Sequence, residues 1–411
     1  MSFPDRRYQQ FIAAFSFMMA ILGSTYGACA NLETIPALSL RQEYNSNVFY
    51  QSDHVKDDFI GIAEPSISLR KVTERLQASI AASGIGYYYY RNDQYNNIDQ
   101  RYHAATHYQV TERLAMSAET RYDIDSQVDR EISDTGLVFN NDKRHRIFLA
   151  SGVKYLINEK TSLETSGSYT SNQFDSDQYV DTWDAGGDVT LLVNMAGLLK
   201  NAVGRTHFSY EHYDYDYTLV DNYFMTLGFS RSISDTSGIL VDIGGRYTHY
   251  KDTYSVFTGE YDPVTGIFEQ NDVTRKTGQW GWVGQVMMNR QWEFITTQAG
   301  LERNVQEASG RTNATVRSSI TGGMDWRLSE KWSFGLEGYY YLNEIETAVS
   351  GKSSSDEETY SATEKLVYAY SPTFRMQFRY GYSHLKNQVD RTTQRHVVAI
   401  QADFSMPLSN R

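Results

Sequence analysis

A chain of 411 residues that is 40% hydrophobic and 14% aromatic, with 32 Tyr and 6 Pro, has no run beyond its N-terminus approaching the ~20 apolar residues of a membrane-crossing helix. The net charge of −12, from 50 acidic and 38 basic residues, argues against a nucleic-acid partner, because phosphates select basic surfaces. A negative mean hydropathy with so much tyrosine fits a chain in which alternate residues face lipid and the rest face water.

Residues 1–30 read as a targeting segment: Arg6 and Arg7 give a basic start, Phe11 to Leu22 an apolar core, and Ala28-Cys29-Ala30 a small-residue cleavage site. Maturation at Asn31 is expected; the rival outcome is lipidation of Cys29, which Tyr26 fits badly. Cys29 is the only cysteine, so a chain cut after Ala30 has no thiol chemistry.

Beyond it, stretches of period-two alternation follow one another. They run Ile35 to Tyr50, Ile60 to Arg70, Leu76 to Tyr90, Tyr102 to Val110, Leu114 to Asp125 and His145 to Leu156. Next come Leu163 to Thr170, Trp183 to Val193, Val203 to Tyr217, Tyr223 to Arg231, Gly238 to Tyr250 and Thr277 to Asn289. Trp292 to Asn304, Val316 to Leu328, Lys331 to Asn343, Ala362 to Tyr370, Phe374 to Tyr382 and His396 to Met406 complete the series. Pro65 predicts a bulge or break, and slipped parity near Thr297 predicts a second bulge. The link Met195 to Ala202 reads as a loop or a short helix, and Lys251 to Arg275 as a long outer loop able to fold inward.

Links alternate between short turns and longer polar loops, and Trp or Tyr stands near many strand ends, as at Trp332 and Tyr340. A soluble sandwich alternates equally well within one strand but does not alternate its link lengths in this way. The expected fold is all-β: a transmembrane antiparallel up-and-down barrel of about 18 strands over residues 31–411, or 16 if a weak strand is misread, in the bacterial outer membrane. Outer-membrane lipid and lipopolysaccharide are then its surroundings, and no cofactor is called for.

Inward projection places Arg121, Asp184, Asp188, Arg246, Arg317, Arg327, Glu337, Arg375 and Arg379 on the pore lining, with the late-strand arginines facing the earlier Asp184 and Asp188. Charged stripes of this kind set selectivity in pores; cross-strand ion pairs of a wet interior look the same. Tyr87, Tyr89, Tyr213, Tyr215, Tyr339 and Tyr341 also project inward near the outer rim, where phenol rings suit a carbohydrate path or ordinary loop packing. His103 and His107 lie too far apart on a strand to share a metal, and His212 beside Asp214 and Asp216 is the nearest approach to a catalytic rim cluster.

The stretch Pro36-Ala37-Leu38-Ser39-Leu40 through Glu43-Tyr44-Asn45-Ser46-Asn47-Val48-Phe49, answered by Pro65-Ser66-Ile67-Ser68-Leu69, resembles the opening of the β-barrel porin 2 family. There a tyrosine and an Asn-x-Asn element end the first strand; Ser46 stands where the family commonly has Asp. The resemblance covers about forty residues and implies an outer-membrane component of an exopolysaccharide system, with polysaccharide and periplasmic export components as partners. The functional expectation is an export conduit, the alternatives being a general or substrate-selective diffusion porin and a surface enzyme.

Overall fold

A computed structural model describes residues 31–126, 143–176, 179–215, 218–262, 267–306, 315–345, 356–386 and 392–409, and their side chains except those of 31, 255–271, 345, 356 and 409. The targeting segment lies outside these residues. The strands are β1 (Asn31–Asn45), β2 (Asp58–Val72), β3 (Leu76–Tyr89), β4 (Asn97–Gln109), β5 (Leu114–Asp125), β6 (Arg144–Asn158), β7 (Thr161–Phe174), β8 (Thr182–Asn194) and β9 (Ala202–Tyr215). They continue as β10 (Thr218–Ser234), β11 (Ser237–Asp262), β12 (Ile267–Gln291), β13 (Ile295–Gln306), β14 (Thr315–Arg327), β15 (Trp332–Ile345), β16 (Asp356–Ser371), β17 (Phe374–Lys386) and β18 (Thr392–Ser405). Leu408–Ser409 continues the line of β18 against Glu33 and Thr34.

Each strand pairs antiparallel with its neighbours in sequence, and β1 pairs with both β2 and β18, so that Leu40 lies between Ala63 and Ala402. The sheet is therefore a closed barrel of 18 strands. Closure satisfies the main-chain donors and acceptors that an open edge would leave bare in hydrocarbon. The side-chain period of two gives each strand an outer and an inner face. Along β17 and β18 the outer positions Met376, Phe378, Val398, Ile400 and Phe404 are exposed apolar residues, while Arg375, Gln377, Gln401 and Asp403 face the lumen. Trp332 packs at a tilt against Tyr368, ring centres 4.7 Å apart, near the short-turn end, and Tyr88 meets Tyr90 edge-on at 5.1 Å near the other, which places amphipathic rings at both interfaces.

Four details depart from the alternation pattern. Around Pro65 the ladder to β3 is interrupted between Ala63–Gly86 and Ser66–Ser83 but keeps its register, because proline lacks only the N–H. At Thr297 there is no bulge: β13 stays in register with both neighbours, and Thr297 is simply a polar residue on the outer face opposite Met324. Residues 251–262 and 267–275 are not an inward loop, since β11 and β12 run on past their neighbours as a paired ribbon to Asp262–Ile267. Residues 195–201 form a hydrogen-bonded turn in which Met195 O accepts from Leu198 and Leu199 N–H.

The chain that does enter the barrel is the β1–β2 link. β1 ends at Asn45, not at Tyr50, because Asn45 Oδ1 accepts the Asn47 N–H and turns the chain. Val48 then packs with Ile60, Ile62, Ile85 and Tyr89 on the inner face of β2 and β3. Asn47 fastens the link, its Nδ2 donating to the carbonyls of Gln51 (2.9 Å) and Gln394 (3.2 Å).

Candidate functional site: the lumen

Inside the barrel, a cavity of about 390 Å³ lies between this link with β1–β4 and the wall β15–β18. Tyr87, Tyr89, Glu337, Tyr339 and Arg379, five of the expected lining residues, border it together. So do Arg41, Glu43, Tyr50, Arg101 and Arg395. Strand boundaries explain the omission of two of these: starting β4 at Tyr102 and β18 at His396 leaves out Arg101 and Arg395, although both continue the inward parity of their strands. Arg41 stands in the alternating run Leu38 to Glu43 and was within reach of the pattern.

The electrostatics of the cavity follow from its pairs. Arg41 Nε lies 3.3 Å from Glu43, and Lys365 Nζ lies 2.7 Å from Glu337 and 3.7 Å from Asp325, so both bordering carboxylates have a base beside them. Arg101 and Arg379 have no ion pair among the described residues. The cavity is therefore positive in balance. Beside it Tyr339 stacks on Tyr341 at 4.6 Å with 20° between planes, and Arg317 lies 4.5 Å over Tyr341 while its Nε donates to Asn343 Oδ1.

The remaining expected residues are spread around the wall. Arg121 pairs with Glu119 at 2.7 Å, which also meets His103 at 3.2 Å. Asp188 accepts from Ser166 and lies 3.5 Å from His207. Asp184 is on the inner face of β8, between Thr170 of β7 and Tyr213 of β9. Arg246 is 2% exposed and donates to Thr248 Oγ1; Thr248 donates in turn to Asn222, and Asn222 to Glu211. Arg327 donates to the Glu293 carbonyl at the short-turn end, and Arg375 lies opposite Asp403 at that same end. The basic and acidic sides expected to face each other are thus interrupted by local pairs on the acidic side.

Two groupings do not form as expected. Tyr213 and Tyr215 are on the inner face but are buried with Val220, Tyr250, Val305 and Val316, and Tyr213 donates to Glu211. His212 faces outward and meets Asp221 at 2.8 Å, while Asp214 accepts from Trp183 Nε1; Asp216 lies outside the described residues. Among the described residues His212 and Asp214 thus have separate partners and do not form the expected rim cluster.

An apolar exterior closed on itself, aromatic rings at both interfaces and a polar, ion-paired interior leave one class of protein. The chain is an outer-membrane β-barrel. No family model and no curated protein matches it in sequence. Solved structures of similar fold include the Pseudomonas aeruginosa outer membrane protein OpdK with vanillate (11% identity, TM-score 0.45, covering 91% of this chain and 99% of that one). Acinetobacter baumannii OccAB3 (8%, 0.47, 93% and 100%) and P. aeruginosa OccK8 (10%, 0.44, 92% and 98%) are others.

Proposed function

We propose that this barrel is a substrate-selective diffusion channel for small anionic solutes. The observation that carries the proposal is the cavity beside the inward link: its carboxylates stand beside Arg41 and Lys365, leaving the guanidinium groups of Arg101 and Arg379 to set its sign. Guanidinium forks match the oxygens of a carboxylate or phosphate, and the neighbouring rings of Tyr87 and Tyr339 supply apolar faces for the rest of a solute. Lipid and lipopolysaccharide surround the exterior. Swelling of protein-containing vesicles tests the proposal: an anionic solute should enter faster than a cationic one of equal size, and equal or reversed rates would reject it.

The export conduit implied by the β-barrel porin 2 resemblance is the second reading, favoured by the stacked faces of Tyr339 and Tyr341, which suit sugar rings. It predicts that deleting the gene abolishes surface polymer while leaving small-solute uptake intact. The diffusion channel predicts the opposite pattern.

A further inference from the structure

The wall is not joined edge to edge along its whole height. Among the described residues, the ladder between β12 and β13 ends at Gly284–Arg303, although β12 continues outward to Ile267 and β13 to Gln306. Gly281, Trp282 and Val283 of β12 are not paired with Gln306, Val305 and Asn304, which the register would set opposite them. β13 and β14 leave the cylinder at this point and turn into the lumen. Val305 and Val316 occupy outer-face positions in their strands, in step with Leu301 and Ile320, which are 51% and 53% exposed. Yet Val305 and Val316 are 2% and 1% exposed, packed against Tyr213, Val220 and Tyr250 of the inner face of β9–β11. Thr315, Val316 and Arg317 are buried in succession, which alternation permits only when both faces are covered. The outer end of the wall therefore overlaps itself, and a seam runs between the β12 edge and the tucked strands.

An unladdered edge at membrane depth is tolerated only where it is covered or meets a wet cavity. The seam opens at the aromatic interface, beside Trp280 and Trp282, whose outward rings are 81% and 57% exposed. Gly281 leaves the β12 edge without side-chain bulk there. Arg303 bridges the gap. Its guanidinium lies 5.2 Å from the Trp282 ring centre across the seam, donates to Ser318, and forms a two-armed pair with Glu344 at 2.7 and 3.1 Å. A polar clasp on an outward face, flanked by tryptophans and leading inward to apolar Val283 and Tyr250, matches an amphiphile: a headgroup at the interface and an acyl chain behind it.

We infer that the β12–β13 seam is a lateral portal through which a single-chain amphiphile passes between the outer leaflet and the lumen, with the Arg303–Glu344 pair as its clasp. The inference stands apart from the anionic-solute reading, because the cavity beside the β1–β2 link takes no part in it.

The test uses the full-length protein refolded in phospholipid vesicles containing a 16-carbon carboxylate with a mid-chain diazirine. After illumination, labelled residues are mapped by mass spectrometry. Attachment is expected at Val283 and Tyr250, inner-face positions beside the seam, as well as at the outer-face Leu227 and Ile243, and joining the seam separates entry there from entry through the mouths of the pore. Trp282→Cys with Val305→Cys, joined by a short bis-maleimide in a Cys29→Ser background, should bring the inner labels to background and leave the outer ones unchanged. Arg303→Ala should raise the inner labels. Unchanged outer labels also report that each variant is folded and inserted. Absence of inner labels in the parent protein, or inner labels that persist after the seam is joined, would overturn the portal.

Discussion

The guanidinium of Arg395, on the inner face of β18, lies 4.2 Å from the ring centre of Tyr50 in the β1–β2 link. Tyr50 holds a φ of 50°, a left-handed conformation costing a non-glycine residue about 1–3 kcal/mol, so contacts elsewhere must keep it there. A stacked cation contributes about 0.5–2 kcal/mol, a large part of that cost. Arg395→Ala should release the link from the lumen, raising single-channel conductance and weakening ion preference. Conductance unchanged from the parent would show that the contact does not hold the link.

Lys365 stands between Glu337 and Asp325. Lys365→Met leaves both carboxylates without this base and turns the cavity toward negative. Reversal potentials in a salt gradient should move toward cation preference. The pair is partly exposed, so the change in stability should stay within about 1 kcal/mol. A large loss of stability without a shift in reversal potential would mean that Lys365 acts structurally.

Ile400 and Gln401 are neighbours in β18 that face lipid and lumen. Ile400→Arg should destabilise the barrel by about 2–4 kcal/mol if it lies near the bilayer midplane, whereas Gln401→Arg should be close to neutral. Reversible urea unfolding in vesicles measures both, and equal costs would contradict the assigned faces.

Glu364 breaks the lipid belt. It sits on the outer face between Leu336 and Tyr380, four residues along β16 from Tyr360 and four from Tyr368. A carboxylate at that depth carries a cost smaller than the penalty for arginine. Glu364→Leu should therefore raise unfolding stability, by roughly 1 kcal/mol. If the variant is less stable, this stretch of β16 does not face hydrocarbon.

Strand order and facing were legible because alternation is a local signal: the residues of Trp332 to Asn343 alone show which side meets lipid. The ribbon at 251–262 and 267–275 was not legible. Pairing continues there past the neighbouring strands, so no packed face imposes the period, and Gly259, Pro263 and Gly266 read as loop. The inward link was concealed for the reverse reason: Val48, Phe49 and Tyr50 prolong the apolar look of β1, although Asn45 and Asn47 already supply the turn chemistry. Val305 and Val316 alternate as ordinary exterior residues, and their burial comes from strands far away in sequence. Of the lumen site, parity supplied the residue types, but only the fold joined Tyr87 and Arg379 in one cavity.

The central claim, an open channel whose selectivity is set by the cavity lined by Arg101 and Arg379, is tested most directly by reversal potentials of the purified protein in planar bilayers under a potassium chloride gradient. The predicted result is a steady conductance with chloride preferred, lost when Arg101 and Arg379 are both changed to Gln. A barrel that inserts but passes no steady current, or one that prefers potassium, would contradict it.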